Sequence, residues 1–179
     1  TWIIDPLDGT KDFLQGTGEF ALHIALVFEN NPILGIVLLP SKEELWISVN
    51  GEETWCENKS SNQTKSCANK YLDLREMTIL TSRNHVSEDL KTLIKHVGFK
   101  NQIRMGSIGY KFVALAKGEA DIYLTISLKE QSSPKDWDFA APEAILNGSG
   151  GAISKIDGSK INYLQNEFRQ DGIIVASSN

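Results

Sequence analysis

The sequence predicts an α/β layered domain of mixed sheets with helices. Three observations carry that expectation. Short strand-like runs alternate with helical patterns along the chain, as in sheets covered by helices. The 179 residues are 41% hydrophobic and 23% charged, ordinary values for a globular domain with a real core. No internal repeat or linker interrupts the pattern, so residues 1–179 are expected to form a single domain.

Taken in order, Trp2–Ile4 reads as a buried strand that stops at Asp5-Pro6. The proline biases Asp5 away from helical angles. Thr10–Leu14 reads as a short helical turn. Phe20–Asn30 is rich in strand formers, Asn30-Asn31-Pro32 turns the chain, and Ile33–Pro40 is the second strand of a hairpin. Glu44–Val49 and Glu52–Cys56 form another hairpin, because Asn50-Gly51 favours a type I′ turn. The polar segment Glu57–Asn69 reads as a loop or a mobile edge, and Met77–Ser82 as a strand. Ser87 is a natural N-cap with Glu88 and Asp89 behind it. Leu90, Leu93, Ile94 and Val97 then share one helical face until Gly98 ends the helix. Lys111–Gly118 is a second helix and Ala120–Ile126 a strand. Pro142 is tolerated in a first turn, which places a third helix over Asp138–Asn147, stopped by Gly148, Gly150 and Gly151. Gly172–Ser177 is a closing strand.

Composition excludes several partner classes. The net charge is -5 and the basic residues form no long run, which argues against a nucleic-acid polymer. A small phosphorylated substrate stays open if a metal supplies positive charge. No apolar stretch reaches the roughly 20 residues that span a bilayer, and no signal peptide is seen, so a cytoplasmic protein without membrane contact is expected. Cys56 and Cys67 match no zinc spacing and make no disulfide framework. The N-x-S/T matches at Asn58, Asn62 and Asn147 are of a length that arises by chance. Residue 1 is Thr, and Trp2 already lies in a strand-like run, so an N-terminal portion is expected to be absent.

Chemistry concentrates in two motifs. In Asp5-Pro6-Leu7-Asp8-Gly9-Thr10, a turn through Pro6-Leu7 can bring two carboxylates to one side. The Gly9 and Thr10 amides then open a helix-like start, an anion-binding end. One loop would offer two hard oxygen ligands for Mg²⁺ beside a phosphate cradle. A plain strand-to-helix turn uses the same residue types. The second motif, Lys135–Leu146, places Asp138 near a helix start, where a carboxylate also serves as a cap. Ala140 and Ala141 let that turn pack close to a neighbour.

Together the motifs resemble the inositol monophosphatase superfamily of Mg²⁺-dependent, lithium-sensitive phosphatases. The first signature, D-P-[LI]-D-G-T, is Asp5 to Thr10, and the second, W-D-x-A-[AG], is Trp137 to Ala141. Gly9-Thr10-Lys11-Asp12-Phe13 with Gly18-Glu19-Phe20, and Gly106-Ser107 with Lys111-Phe112, resemble the 3′(2′),5′-bisphosphate nucleotidase branch. The resemblance implies the layered sugar-phosphatase fold and two or three Mg²⁺ in the complete protein. It implies that Asp5 bridges two ions, that Asp8 and Asp138 complete the second site, and that the Leu7 carbonyl serves the first. It gives Asp8 and Thr10 the catalytic work, with the Thr10 hydroxyl orienting water and the Gly9 and Thr10 amides holding phosphate. Leu7, Asp8, His85, Ser107, Lys111 and Asp138 join them around the substrate. The implied reaction is hydrolysis of 3′-phosphoadenosine 5′-phosphate to AMP and phosphate. Rivals are an inositol or other sugar phosphatase, and a non-catalytic fragment that binds nucleotide or a partner chain. The partner is a small phosphorylated nucleotide or sugar, with a homodimer as the candidate assembly. In the family, a metal-binding Glu and a second, water-activating acid precede the first signature. This stretch alone is therefore expected to be nearly inactive and to expose apolar surface near Trp2–Ile4. His23 and His96 receive no role, and Trp46, Trp55, Phe112 and Tyr123 read as packing.

Overall fold

Alternating burial along the first strands decides which way the larger sheet faces. In the computed structural model, which describes residues 1–58, 62–65, 72–127 and 133–178, strand β1 is Trp2–Asp8. It pairs antiparallel with β2 (Ala21–Phe28), setting Trp2 opposite Leu26 and Ile4 opposite Ile24. That face carries Trp2 and Ile4, 59% and 57% exposed. The opposite face carries Ile3, Ala21, His23, Ala25 and Val27, all buried. Strands β3 (Asn31–Leu39), β4 (Glu44–Val49), β5 (Thr54–Glu57) and β6 (Asn62–Lys65) extend the sheet in simple antiparallel order. The hairpin expected at Asn50-Gly51 forms, and both residues take the positive φ that a type I′ turn requires. Asn62–Lys65 is an edge strand within the segment expected to be a loop or edge; residues 59–61 and 66–71, with Cys67, lie outside the described residues.

The second sheet has the order β10-β11-β9-β7-β8. Its members are β7 (Thr78–Ser82), β8 (Asn101–Met105), β9 (Ile122–Ser127), β10 (Ala152–Lys155) and β11 (Gly172–Ser177). Strand β7 runs parallel to β8 and β9, while β9, β11 and β10 pair antiparallel. Side chains alternate between two cores. Leu80, Tyr123, Ile174 and Ala176 join the main core, while Ile79, Ile122 and Leu124 face α2 (Glu88–Val97) through Leu90. Helix α2 has the expected caps: the Ser87 hydroxyl accepts from the Leu90 amide at 3.2 Å, and Gly98 takes the left-handed conformation. Helices α3 (Ile108–Ala116) and α4 (Asp136–Gly148) pack on each other. Helix α4 lies across β1 to β4 and α3 reaches β9, so the pair forms the layer joining the sheets. Among the described residues, no helix is long and apolar enough to cross a membrane.

Three boundaries that position the two motifs and the loop between them differ from the sequence expectation. Strand β1 continues through Pro6 to Asp8, because a bulge between Asp5 and Asp8 absorbs the proline. Helix α3 begins at Ile108, three residues before the apolar run was expected to start it, because the Ser107 hydroxyl caps the Tyr110 amide at 3.2 Å. Helix α4 begins at Asp136, so Pro142 is its seventh residue and lies inside the helix. Burial of Ala140, Ala141, Ala144 and Ile145 offsets what the proline costs there.

Candidate active site

The bulge in β1 explains how two aspartates three apart reach the same side. Side chains of a regular strand alternate, so Asp5 and Asp8 would point to opposite faces. In the ladder Asp5 pairs with His23 and Asp8 with Ala21, three steps on one strand against two on the other. The extra residue flips the parity. Asp5 and Asp8 are consequently both buried on the inner face, at 8% and 6% exposure. Gly9 follows at φ 86, in the left-handed region, where a Cβ would also lie 2.9 Å from the Glu19 carbonyl oxygen. The chain then enters α1 (Thr10–Leu14), and the Thr10 hydroxyl donates to the Leu7 carbonyl at 3.1 Å.

Asp138 arrives from the start of α4. It is the third helical residue rather than the cap, and its Oδ2 accepts the Lys135 amide at 2.6 Å. One ligand oxygen from each of Asp5, Asp8 and Asp138 lies within 4.8 Å of the others. Each carboxylate has one oxygen held by the protein. Asp5 Oδ1 accepts the Leu7 amide at 2.9 Å. Asp8 Oδ2 accepts the Ser107 hydroxyl at 2.5 Å and the Gly109 amide at 2.9 Å. The second oxygen of each has no hydrogen bond among the described residues.

Charge crowding shows in the proton affinities. Burial raises the Asp138 pKa to about 7, with the Asp8 charge adding to the effect. Burial likewise raises that of Asp5, opposed by the Leu7 amide. Three buried carboxylates sharing one space suit a hard divalent cation, so the residues present fit the Mg²⁺ that the sequence implies.

The carboxylates open into a cleft of about 870 Å³, which brings together Asp8, Gly9, Thr10, His85, Ser107, Lys111 and Asp138. Asp5 and Leu7 lie behind it and are absent from its lining. Lys111 is 2% exposed, donates to the Gly106 carbonyl at 3.0 Å and stands 5.6 Å from the Tyr123 ring centroid. Burial lowers its pKa to about 8, opposed first by the Asp8 charge. Burial also lowers the pKa of His85, as do the charges of Lys11 and Lys111.

A clamp beside the cleft escaped the sequence reading. Arg83 donates to Asp12 Oδ1 at 2.5 Å and to Glu19 Oε2 at 2.8 Å. Glu19 Oε2 also accepts the Gly106 amide at 2.6 Å, and Asp12 Oδ2 accepts Asn84 Nδ2 at 2.9 Å. Phe13 and Phe20 meet edge to face with centroids 5.0 Å apart. The residues of G-T-K-D-F and G-E-F thus include a scaffold that ties α1 to the end of β7 and to the loop before α3. The acids at positions 12 and 19 were the available signal; their shared partner Arg83, 71 residues beyond Asp12, was not.

Comparison with known proteins agrees with this arrangement. Residues 1–179 match the inositol monophosphatase family. The chain is 33% identical over 162 residues to the 3′(2′),5′-bisphosphate nucleotidase CysQ of Buchnera aphidicola subsp. Acyrthosiphon pisum, covering 90% of this chain and 57% of that protein. It is 30% identical over 170 residues to the protein of the same name from Escherichia coli K12, covering 93% of this chain and 63% of the relative. The chain thus spans 57% and 63% of the length of these two relatives. The crystal structure of CysQ from Bacteroides thetaiotaomicron superposes with a TM-score of 0.83 at 26% identity, over 99% of this chain and 70% of that one. An inositol monophosphatase from Zymomonas mobilis shares the fold at a TM-score of 0.81 and 24% identity, over 99% of this chain and 65% of its own. With the two signatures meeting at one carboxylate cluster on this fold, the chain belongs to the inositol monophosphatase family.

Proposed function

We propose that the protein acts as a Mg²⁺-dependent phosphomonoesterase on a small phosphorylated nucleotide, with 3′-phosphoadenosine 5′-phosphate as substrate. The observation that carries this reading is the carboxylate arrangement: three clustered acids, each anchored through one oxygen and keeping a second, with Asp8 and Asp138 lining a polar cleft. Asp5, Asp8 and Asp138, with the Leu7 carbonyl, would hold the metal. When bound, it supplies Lewis acidity, drawing charge from the phosphoryl oxygens and acidifying water.

The chain's own groups do the rest. The Thr10 hydroxyl spends its one proton on the Leu7 carbonyl. Its lone pairs are left to accept a hydrogen from the attacking water and aim it. Lys111 uses one of three N–H donors on Gly106, leaving two for phosphate oxygens. The Gly9 and Thr10 amides offer two more. Ser107 is committed to Asp8 as a donor and to Tyr110 as an acceptor, so its first role is to hold Asp8.

The nucleotide as substrate is supported by the branch motifs and by the names of the relatives at 30% and 33% identity. In a phosphate-release assay with Mg²⁺, the complete protein should prefer 3′-phosphoadenosine 5′-phosphate over inositol 1-phosphate, and low Li⁺ should inhibit it. The opposite preference would replace the nucleotide with a sugar phosphate and leave the metal chemistry standing.

Metal binding should also depend on pH. A ligand must be ionised, and Asp138 loses its proton only near pH 7. The apparent Mn²⁺ affinity, measured by calorimetry from pH 5.5 to 8.5, should rise up to about tenfold per unit below pH 7 and level off above it. The sign for metal-free stability is the reverse. The folded-state pKa lies above the ordinary aspartate value, so the folded state holds the extra proton between about pH 4 and pH 7. Without metal, stability therefore falls as pH rises through that window. A pH-independent affinity would remove Asp138 from the ligand set.

A further inference from the structure

His23 stands behind the carboxylates, and neither the sequence motifs nor the reaction above uses it. It is 1% exposed on β2, directly across the ladder from Asp5. Its Nδ1 lies 3.1 Å from the carbonyl oxygen of Trp137, the residue before Asp138. Its Nε2 lies 3.4 Å from Asp8 Oδ2 and has no hydrogen-bond partner among the described residues. A carbonyl oxygen can only accept, so Nδ1 carries the hydrogen and donates it. That bond sets the ring orientation; in the neutral ring it leaves Nε2 a lone pair, so the approach to Asp8 Oδ2 is a close packing contact and not a hydrogen bond.

The surroundings are shaped for an imidazole in this pose. Gly109 on α3 approaches so closely that a Cβ there would lie 2.3 Å from His23 Nε2. The amide of the same glycine donates to Asp8 Oδ2 at 2.9 Å. Ala21 and Val37 close the space around that glycine. A side chain needed only as filler would not have to hydrogen-bond the backbone of the residue before Asp138. His23 donates to the segment that brings Asp138 and sits on β2 directly across the ladder from Asp5, so it meets both segments that bring carboxylates to the site.

We propose that His23 is a positioning residue that ties the Trp137–Asp138 start of α4 to β2 at the position paired with Asp5, and so fixes Asp138 relative to the carboxylates of β1. The inference rests on the metal reading given above. Groups that hold metal-ligating side chains typically change metal affinity by about 10–100-fold when removed.

The test compares Mn²⁺ binding, by calorimetry on the complete protein, in His23→Leu, His23→Asn and Asp5→Asn. His23→Leu keeps bulk and removes the hydrogen bond to the Trp137 carbonyl, and should weaken binding by about 10–100-fold. His23→Asn places an amide where Nδ1 stands, can still donate to the Trp137 carbonyl, and should recover most of the loss. Metal-free melting curves on the same samples report folding. If His23→Leu melts earlier but its folded fraction binds Mn²⁺ as the parent does, the residue is structural only and the proposal falls. Equal loss in His23→Leu and His23→Asn would also overturn the tie to Trp137. Unchanged binding in Asp5→Asn would instead overturn the metal reading itself, and the inference with it. A measurement on the unsubstituted protein guards against variants that fail to fold. Long-range ¹H–¹⁵N spectra should show a proton on His23 Nδ1, and a bare Nδ1 would overturn the proposal.

Discussion

Asp138→Asn should leave the fold intact and remove nearly all phosphate release from the complete protein. Asparagine keeps the size of the side chain and a carbonyl oxygen that can accept the Lys135 amide, as Asp138 Oδ2 does at 2.6 Å. The capping role survives the change. What is lost is the charge that the second oxygen brings to the cluster with Asp5 and Asp8. Removing groups that merely orient metal ligands typically costs about 10–100-fold in metal affinity or activity, and loss of a proposed ligand's own charge should cost at least that. Steady-state phosphate release and a circular dichroism melt on the same sample separate the two roles. Activity within a few-fold of the parent at ordinary Mg²⁺ would show that Asp138 is a helix-start residue and nothing more.

Gly35→Ala should be the most damaging single methyl group in the larger sheet. Gly35 is buried in β3, between Ala25 of β2 and Ser48 of β4. A Cβ there would lie 2.6 Å from the Ala141 carbonyl oxygen and 2.6 Å from the Ala144 Cβ. Both atoms belong to α4, and one is backbone, so no side-chain rotation relieves the contact. The helix must move away, carrying Asp138 with it. Overpacking of this kind costs about 1–3 kcal/mol. For a domain of this size that corresponds to a melting shift of roughly 2–12 °C. A second signature distinguishes displacement from general weakening: Mn²⁺ affinity should fall as well, because Asp138 leaves its partners. An unchanged melting temperature would mean that α4 and the sheet adjust without cost.

The same contact shows what the sequence reveals and what it hides. Ala140 and Ala141 after Trp137-Asp138 signal a close approach, and the residue approached, Gly35, lies more than a hundred positions upstream. Local signals were reliable where one segment decides its own conformation. Ser87 with Glu88 and Asp89 starts a helix, Gly98 ends it, and Asn50-Gly51 turns a hairpin. They misled where a partner decides. Pro6 reads as a strand end, yet the bulge against β2 carries β1 on to Asp8. Pro142 reads as a first-turn residue, yet a buried second turn accommodates it. Strands β8 and β10 went unseen because each sits at a sheet edge with a short, half-polar pattern.

The candidate site divides in the same way. Asp5, Asp8, Gly9, Thr10 and Asp138 were legible because two compact motifs contain them, and the structure draws their segments together. His85, Ser107 and Lys111 come to the same cleft. Arg83 and His23 were not legible. Each is defined by contacts across large sequence separations, 71 residues from Arg83 to Asp12 and 114 from His23 to Trp137. Nothing local to either residue announces its partner.

The proposed function requires that the end of β1 and the start of α4 together hold a divalent metal. The most direct measurement is an anomalous difference map from crystals equilibrated with Mn²⁺. Density is expected at coordination distance from carboxylate oxygens of Asp5, Asp8 and Asp138 together, with the three oxygens that hold no protein hydrogen bond among the described residues as its ligands. Saturating Mn²⁺ with no density among these three residues, or density bound only elsewhere on the molecule, would contradict it.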